Sequence, residues 1–291
     1  MNAPAGIDLD HTSRSPDDLD ITVRDRRFAR GAMPKRWWLN DDPVATAWFN
    51  ALSATFPRGE AFFIESVKAH RDSASPKLAA EIRAFVKQEI NHTREHVVFN
   101  KLAESAGYDI RLIDRRVEEM LALTKGRPQI LNLAATMALE HFTAMLGQEL
   151  LTHPSHLDGA VGDLGDLWRW HSAEEVEHKG VAYDTWLHAT QGWSRFKRWK
   201  VKSLMMLIVT KRFIGHRVED MAELLAQDGL TGFKWKWKIA AYLLWKPGFL
   251  RRIIPQWFAY FLPGFHPWNH DDRHLISRYE SEFPDAVMPA Q

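Results

Sequence analysis

The sequence predicts an all-α fold, and three observations support that prediction. Apolar side chains recur at the 3.6-residue spacing of a helix in long segments between residues 43 and 190. Proline and glycine separate these segments at positions where helices commonly begin and end. The alternation of apolar and polar residues that is typical of a strand is absent from the sequence. We therefore expect a helical bundle without a sheet.

The first two long helices have clear start and stop signals. A helical pattern begins at Pro43 and leads into the first long helix, "FPRGEAFFIESVKAH". One stripe of that helix at 3.6-residue spacing consists of Phe56, Glu60, Phe63, Ile64 and Val67. Pro76 is placed to open the second long helix at its first turn, and Gly107 is a common C-terminal signal for its end.

A shorter connecting helix is expected over Arg111–Thr124, and two more long helices follow it. The third long helix is "QILNLAATMALEHFTAMLGQELL", which is rich in small apolar residues. After the loop "THPSHLDGAVG", the fourth carries "DLWRWHSAEEVEHKGVAYDTWLHAT". These four long helices are expected to form a bundle over residues 34–192.

The two ends of the chain differ in character from the bundle. Residues 1–33 are rich in Asp, Arg, Ser and Pro without periodicity, so we expect a disordered or loosely attached arm. Residues 193–291 combine aromatic and basic side chains, and we expect a helical extension packed on the bundle. Within it, residues 233–261 either cover the open end of the bundle or lie on a membrane surface, with Trp and Lys/Arg at the headgroups.

The composition narrows the range of functions. The chain has 291 residues, of which 45% are hydrophobic, and its net charge of +1 argues against a nucleic-acid partner. It contains no cysteine, which excludes disulfides, thiolate metal sites and a cysteine nucleophile. A transition metal would therefore be held by histidine and carboxylate. The N-terminus lacks the apolar region of a secretory signal, so a cytoplasmic location is expected, with membrane association as an open alternative.

A Glu-x-x-His motif occurs twice, as Glu89 with His92 and as Glu175 with His178. Residues at this spacing lie on one helix face and can share a metal ion. Glu60 and Glu140 on the other two long helices complete the pattern of ferritin-like dinuclear sites. Each acid lies in an apolar stripe, and four buried carboxylates need compensating charge. The candidate metal ligands are Glu60, Glu89, His92, Glu140, Glu175 and His178.

Neighbouring polar residues leave alternatives open. His96 and His171 lie one turn from the motifs and are candidates for additional ligands, hydrogen-bond donors to ligands, or core histidines. Glu174 is four residues before His178, so a shift in register could exchange it with Glu175. Asp184 is a candidate for orienting a ligand histidine or for a surface role.

The motif segments resemble a known family. "FPRGEAFFIESV", "FVKQEINHTREHVVFN", "ALEHFTA" and "WHSAEEVEHKGVAYD" are similar to the motifs of the bacterial predicted metal-dependent hydrolases, which are grouped with ferritin-like folds. The resemblance covers Phe56 to Trp186, with a weaker similarity at "PGFHPW". It implies a metal-dependent enzyme with the same six ligands.

The donor set favours two iron ions, with manganese or a mixed pair as alternatives. We expect dioxygen-dependent oxidation of a small apolar or acyl substrate, supported by an external electron donor. The pocket is expected to be lined by Phe63, Phe85, Met137 and Thr143.

Hydrolysis by a metal-activated water is the alternative to oxidation. An anionic substrate would then require Arg or Lys near the site, and the predicted stripes contain none. Iron storage is less favoured, because the long aromatic and basic extension does not suit a compact shell protein.

Overall fold

A computed structural model describes residues 13–72 and 74–284. Apart from an isolated bridge between Leu39 and Ala160, the regular structure of these residues is helical, which confirms the predicted fold class. The helices in chain order are α1 (Pro43–Ser53), α2 (Phe56–Lys68), α3 (Pro76–Ser105), α4 (Arg111–Ala122), α5 (Gln129–Thr152), α6 (Leu164–His178), α7 (Val181–Ala189), α8 (Arg195–Ala226), α9 (Phe233–Leu244), α10 (Phe249–Ala259) and α11 (Arg273–Glu282). Short 3-10 helices cover Pro154–Leu157 and Pro267–Asn269.

Local sequence signals set the ends of the helices, and Gly107 is among the signals that we expected. The Asp42 carboxylate accepts hydrogen bonds from the backbone of Val44 and Ala45 and so caps α1. Ser75 accepts from the Leu78 amide at 3.3 Å and caps α3. Gly107, with a φ of +94°, follows the end of α3 in a conformation that favours glycine.

The four helices that carry the candidate ligands pack against one another. α2 packs along α3 and α5 along α6, and further contacts join α2 to α5 and α3 to α6 and α7. The predicted fourth helix is in fact divided, because α6 ends at His178 and α7 begins at Val181. A side chain at Gly180 would lie 2.8 Å from Nε1 of Trp268, so the junction has room only for glycine. The division brings residues 267–269 against the end of α6.

The prediction of a disordered arm is wrong for residues 13–33, which we call the N-terminal segment. Residues 1–12 lie outside the described residues. Phe28 is 2% exposed and its ring centroid is 5.4 Å from that of Trp170. The backbone amides of Thr22 and Phe28 donate hydrogen bonds to buried carboxylates, each at 2.9 Å. The segment lacks helical periodicity because it packs as non-helical chain, held by backbone hydrogen bonds and by the buried side chains of Arg24 and Phe28.

Helices α8 to α11 pack on the bundle. α8 lies against α1 and α5, α10 against α5, and α11 against α6. Within residues 233–261, Ile239 and Phe249 are buried, whereas Trp237 and Trp245 are exposed. None of the helices in the described ranges is both long enough and apolar enough to cross a membrane. Contact of residues 233–261 with a membrane surface stays a prediction, and residues 285–291 of the predicted extension lie outside the described part.

Candidate metal centre

The six candidate ligands converge in the middle of the bundle, and none is more than 3% exposed. His178 shows the convergence most directly. Its Nε2 lies 3.3 Å from Oε1 of Glu89, 3.4 Å from Oε2 of Glu140 and 3.5 Å from Oε2 of Glu175. We refer to the six residues as the glutamate–histidine cluster.

Two overlapping groups of potential ligand atoms occur within the cluster. One donor atom from each of Glu60, Glu89 and His92 lies within 4.8 Å of the other two. The same holds for Glu89, Glu140 and His178. Glu89 belongs to both groups, so two neighbouring cation positions would share its carboxylate.

Glu175 faces both groups through different oxygens. Its Oε1 lies 3.6 Å from Nδ1 of His92, and its Oε2 lies 3.5 Å from Nε2 of His178. A carboxylate whose two oxygens face two histidines has the arrangement of a bridging ligand. Glu89 and Glu175 would therefore serve both cations, and Glu60 and Glu140 would each serve one.

Each member of the cluster has a buried donor or acceptor atom without a hydrogen-bond partner in the described part of the chain. These atoms are Oε1 of Glu60, both oxygens of Glu89 and Glu140, Oε2 of Glu175, Nδ1 of His92 and Nε2 of His178. A buried polar atom without a partner costs roughly 1–3 kcal/mol, and more when it is charged. So many buried polar atoms in one place fit the binding of cations. Four carboxylates and two imidazoles fit a pair of divalent ions such as iron or manganese.

The shifted pKa values of the cluster residues also favour a bound cation. Burial, with mutual repulsion, raises the pKa of Glu60 and of Glu89 well above the ordinary value. Burial also raises the pKa of Glu140 to about 7. For His178 burial lowers the pKa, but Glu175 and Glu140 outweigh it and hold the pKa well above its usual range. Bound divalent cations would remove the repulsion between the carboxylates.

Hydrogen bonds outside the cluster orient both histidines. Nε2 of His92 lies 2.9 Å from Oε2 of Glu174 and donates to it, which leaves Nδ1 to face the cluster. Nδ1 of His178 donates to Oε1 of Gln88 at 2.9 Å, which leaves Nε2 to face the cluster. Holding the far ring nitrogen fixes the tautomer and the ring plane of a ligand histidine. Glu174 thus supports a histidine from outside, and the possible exchange with Glu175 does not occur.

A single arginine of the N-terminal segment joins the two supports. The Arg24 guanidinium donates to both oxygens of Glu177 at 3.1 and 2.9 Å, and its backbone amide donates to Oε1 of Glu174 at 2.9 Å. Oε2 of Glu177 in turn accepts from Nε2 of Gln88 at 2.7 Å. Arg24 is 2% exposed. Each of the two cluster histidines is therefore linked to Arg24, one through Glu174 and the other through Glu177 and Gln88.

Sequence reasoning missed Arg24, Gln88 and Glu177. A signal was present, because Gln88 precedes Glu89 directly and Glu177 precedes His178 directly. Polar residues on both sides of a buried motif residue require partners of their own. The source of the partner could not be read from the sequence, since Arg24 lies in the segment that we expected to be disordered.

His96 and His171 form a chain that leads away from the cluster. Nε2 of His171 lies 2.9 Å from Oε1 of Glu175, and its Nδ1 lies 2.6 Å from Nε2 of His96. Nδ1 of His96 lies 2.8 Å from the hydroxyl of Ser53. Every ring nitrogen of the pair thus has a protein partner. Donor atoms of His96 and His171 also lie within 4.8 Å of one another and of Glu60, so the geometry is compatible with a ligand role as well as with hydrogen-bonding support. Asp184 contacts His266 at 2.9 Å and neither of the cluster histidines.

A cavity of about 200 Å³ lies between α2, α4, α5 and α8, and sequence neighbours of Glu60 and Glu140 belong to its lining; we call it the side cavity. Phe63 and Thr143 line it, as expected, but Phe85 and Met137 do not. The Phe85 ring instead lies 4.8 Å from that of His178. The side cavity also has arginine in its lining, which the helical stripes of the sequence did not indicate.

The stability of the metal-free protein should fall as the pH rises above about 6.5. In the unfolded chain the four carboxyls lose their protons near pH 4.5, whereas folding raises the pKa of Glu140 to about 7 and that of Glu60 and Glu89 well above the ordinary value. The folded state then binds more protons than the unfolded state, so stability is lost as the pH rises through the folded pKa values. The decrease starts at about pH 6.5, which is the ordinary pKa of histidine. Below this pH, the lowered pKa values of His92 and His96 in the folded state make stability rise with pH instead.

Thermal unfolding of chelator-treated protein between about pH 6.5 and 8 measures this effect. The range ends at 8 because burial lowers the pKa of Lys202 to about 8, and this group makes stability rise with pH above that value. The midpoint should decrease by several degrees, and metal-loaded protein should show a smaller dependence. A flat or rising midpoint in the metal-free protein would contradict the electrostatic account of the cluster.

Comparison with known proteins agrees with the resemblance noted in the sequence. The family described as predicted metal-dependent hydrolase matches residues 22–271. A search of curated proteins and a search of solved structures each gave no match. The matched range extends over most of the chain and contains the whole cluster together with Arg24. The protein therefore belongs to the family of predicted metal-dependent hydrolases.

Proposed function

We propose that the protein is an enzyme with a ferritin-like dinuclear metal centre formed by the glutamate–histidine cluster. The observation that carries this proposal is the set of unpartnered buried atoms, one or more on each of the six residues. α2 and α5 contribute one glutamate each, and α3 and α6 contribute one Glu-x-x-His motif each. That division of ligands is the one used in ferritin-like dinuclear carboxylate proteins.

Oxidation of an apolar or acyl substrate by dioxygen is the reaction that we propose. A pair of ferrous ions bound in the cluster would supply electrons to dioxygen. Insertion of one oxygen atom into a C–H bond takes two electrons from the substrate and two from an external donor, and it releases one water. The protein contributes an apolar cavity beside Glu60 and Glu140, which positions the substrate and excludes water. The histidine chain from Glu175 to Ser53 fixes the carboxylate orientation.

Hydrolysis is the second candidate, and two observations favour it. The family description names a hydrolase, and the side cavity has arginines in its lining that suit an anionic substrate. Two divalent ions can lower the pKa of a bound water and orient an ester or phosphoester. Zinc or manganese would serve this reaction, and dioxygen would play no part in it.

One experiment separates the two reactions. Ferrous protein is mixed with oxygenated buffer in a stopped-flow instrument, with medium-chain fatty acids as substrates and a chemical reductant as the electron donor. Oxidation predicts transient visible absorption, substrate-dependent oxygen consumption and a hydroxylated or desaturated product. In parallel, manganese-loaded protein is incubated under strict anaerobiosis with ester and phosphoester substrates. Efficient anaerobic cleavage, without oxygen consumption in the first assay, would decide for hydrolysis. Metal-free protein is the control for both assays.

A further inference from the structure

The inner wall of the side cavity is formed by the helices that carry two cluster carboxylates. Residues next to Glu60 and Glu140, or one turn away from them, belong to the lining, namely Gly59, Phe63, Leu139 and Thr143. The remaining wall is mainly aliphatic and aromatic, with side chains from α4 and α8. An apolar chain that enters this cavity therefore approaches the helix surfaces on which Glu60 and Glu140 lie.

The rim of the side cavity carries uncompensated positive charge. Arg127 and Arg212 both belong to the lining and are exposed. Across residues 13–72 and 74–284, neither guanidinium has a carboxylate oxygen within 4.0 Å. A third arginine in the lining, Arg217, is buried and paired with Asp220, and it donates to the Ala51 carbonyl at 2.7 Å. The charge available to a ligand is thus that of Arg127 and Arg212.

The lining contains no acidic residue among the side chains that the structure describes. Leu123 and Ile208 belong to the same lining and are exposed, at 49% and 43%, so apolar surface extends outward from the cavity. An apolar interior, two free arginines and no opposing acid together select for an amphiphile with a negative head group. An uncharged chain would leave the arginines unused, and a cationic amphiphile would be repelled by them.

We propose that the side cavity binds a single-chain carboxylate, with the carboxylate held by Arg127 and Arg212 and the alkyl chain directed inward. The role of the cavity as a substrate site rests on the proposed function, and the ligand named here specifies the class of substrate. The orientation has a chemical consequence. The carboxylate lies at the rim, so the methylene groups and not the head group reach the wall beside Glu60 and Glu140. A reaction at the cluster would then modify the chain and leave the acid group intact.

Equilibrium binding to metal-free protein tests the inference. Dodecanoate, dodecanol and dodecyltrimethylammonium are each used to displace a fluorescent fatty acid. Dodecanoate should bind roughly three- to tenfold more tightly than dodecanol, which is the range expected for two exposed arginine–carboxylate contacts. The Arg127→Ala/Arg212→Ala double variant should abolish that difference while dodecanol binds as before. Arg195→Ala, an exposed arginine on the same helix as Arg212 but outside the cavity, is the matched control.

A second variant tests the cavity itself. Ala135→Phe places a ring in the lining and should weaken both dodecanoate and dodecanol, whereas Ala122→Phe on the exposed face of α4 should not. Equal affinity for all three probes, or dodecanoate binding that survives the double arginine variant, would overturn the role of the rim. Binding that is insensitive to Ala135→Phe would overturn the location. Because the protein is metal-free, these results are independent of whether the cluster binds metal, which elemental analysis decides separately.

Discussion

Glu89→Ala and Glu175→Ala should each reduce the metal content from about two ions per chain to one or fewer. Both carboxylates would serve the two predicted cation positions, so the loss of either removes a ligand from both. Elemental analysis of protein purified without added metal measures the ratio of metal to chain. Full metal retention in both variants would refute the assignment of the cluster.

The stability of the Glu89→Ala variant is a second, independent test of the cluster assignment. In the metal-free state, Glu89 is a buried carboxyl whose pKa is raised by burial and by Glu140. Its removal should raise the free energy of unfolding of the metal-free protein even as it lowers metal binding, because functional sites commonly cost stability. Glu95→Gln is the matched control on the same helix, since Glu95 is buried and paired with Arg30 and Arg94 outside the cluster. It should lower stability and leave the metal content near two.

Arg24→Met should lower both stability and metal affinity. The substitution leaves Glu174 and Glu177 buried without their cation, and breaking a buried ion pair in this way costs about 3–5 kcal/mol. Metal affinity should fall by roughly 10- to 100-fold, the usual effect of removing a group that orients a ligand histidine. Urea unfolding and competition with a metal chelator measure the two quantities.

Spectroscopy distinguishes a positioning role from a loss of folding. Cobalt-substituted protein, studied well below its unfolding midpoint, should show an altered visible spectrum in Arg24→Met and a smaller change in Arg24→Lys, which keeps the charge but not the contact with both oxygens of Glu177. Arg27→Ala is the control, because Arg27 belongs to the same N-terminal segment but pairs with Asp25 on the surface. An unaltered spectrum in Arg24→Met would show that the histidines are held without the arginine.

The convergence of the six candidate ligands could be predicted because helices impose their own geometry. The spacing of Glu89 and His92 places both on one face, and the second copy of the motif repeats that constraint. The N-terminal segment could not be predicted in the same way. Arg24 contacts Glu177, 153 residues away, through an extended backbone that leaves no periodic signal in the sequence. The division between α6 and α7 escaped for a similar reason, since the Trp268 ring that packs closely on Gly180 is distant in the sequence.

Only part of the side cavity could be predicted from the sequence. Its inner wall could be anticipated in part, because Phe63 and Thr143 follow Glu60 and Glu140 at helical spacing. The rim could not, since Arg127 lies between α4 and α5 and Arg212 lies on α8, outside the four helices that carry the motifs. Only the tertiary arrangement brings these charges to one opening.

The salt bridge between Arg24 and Glu280, 2.7 Å long, joins residues 256 positions apart in the chain. Contacts of such separation close late, because the entropy of closing the loop must be overcome before the contact contributes. During synthesis, the bundle with its four carboxylates emerges before α11 can form. We therefore expect a chain without α11 to bind metal less tightly, because the Arg24 guanidinium then lacks one of its carboxylate partners.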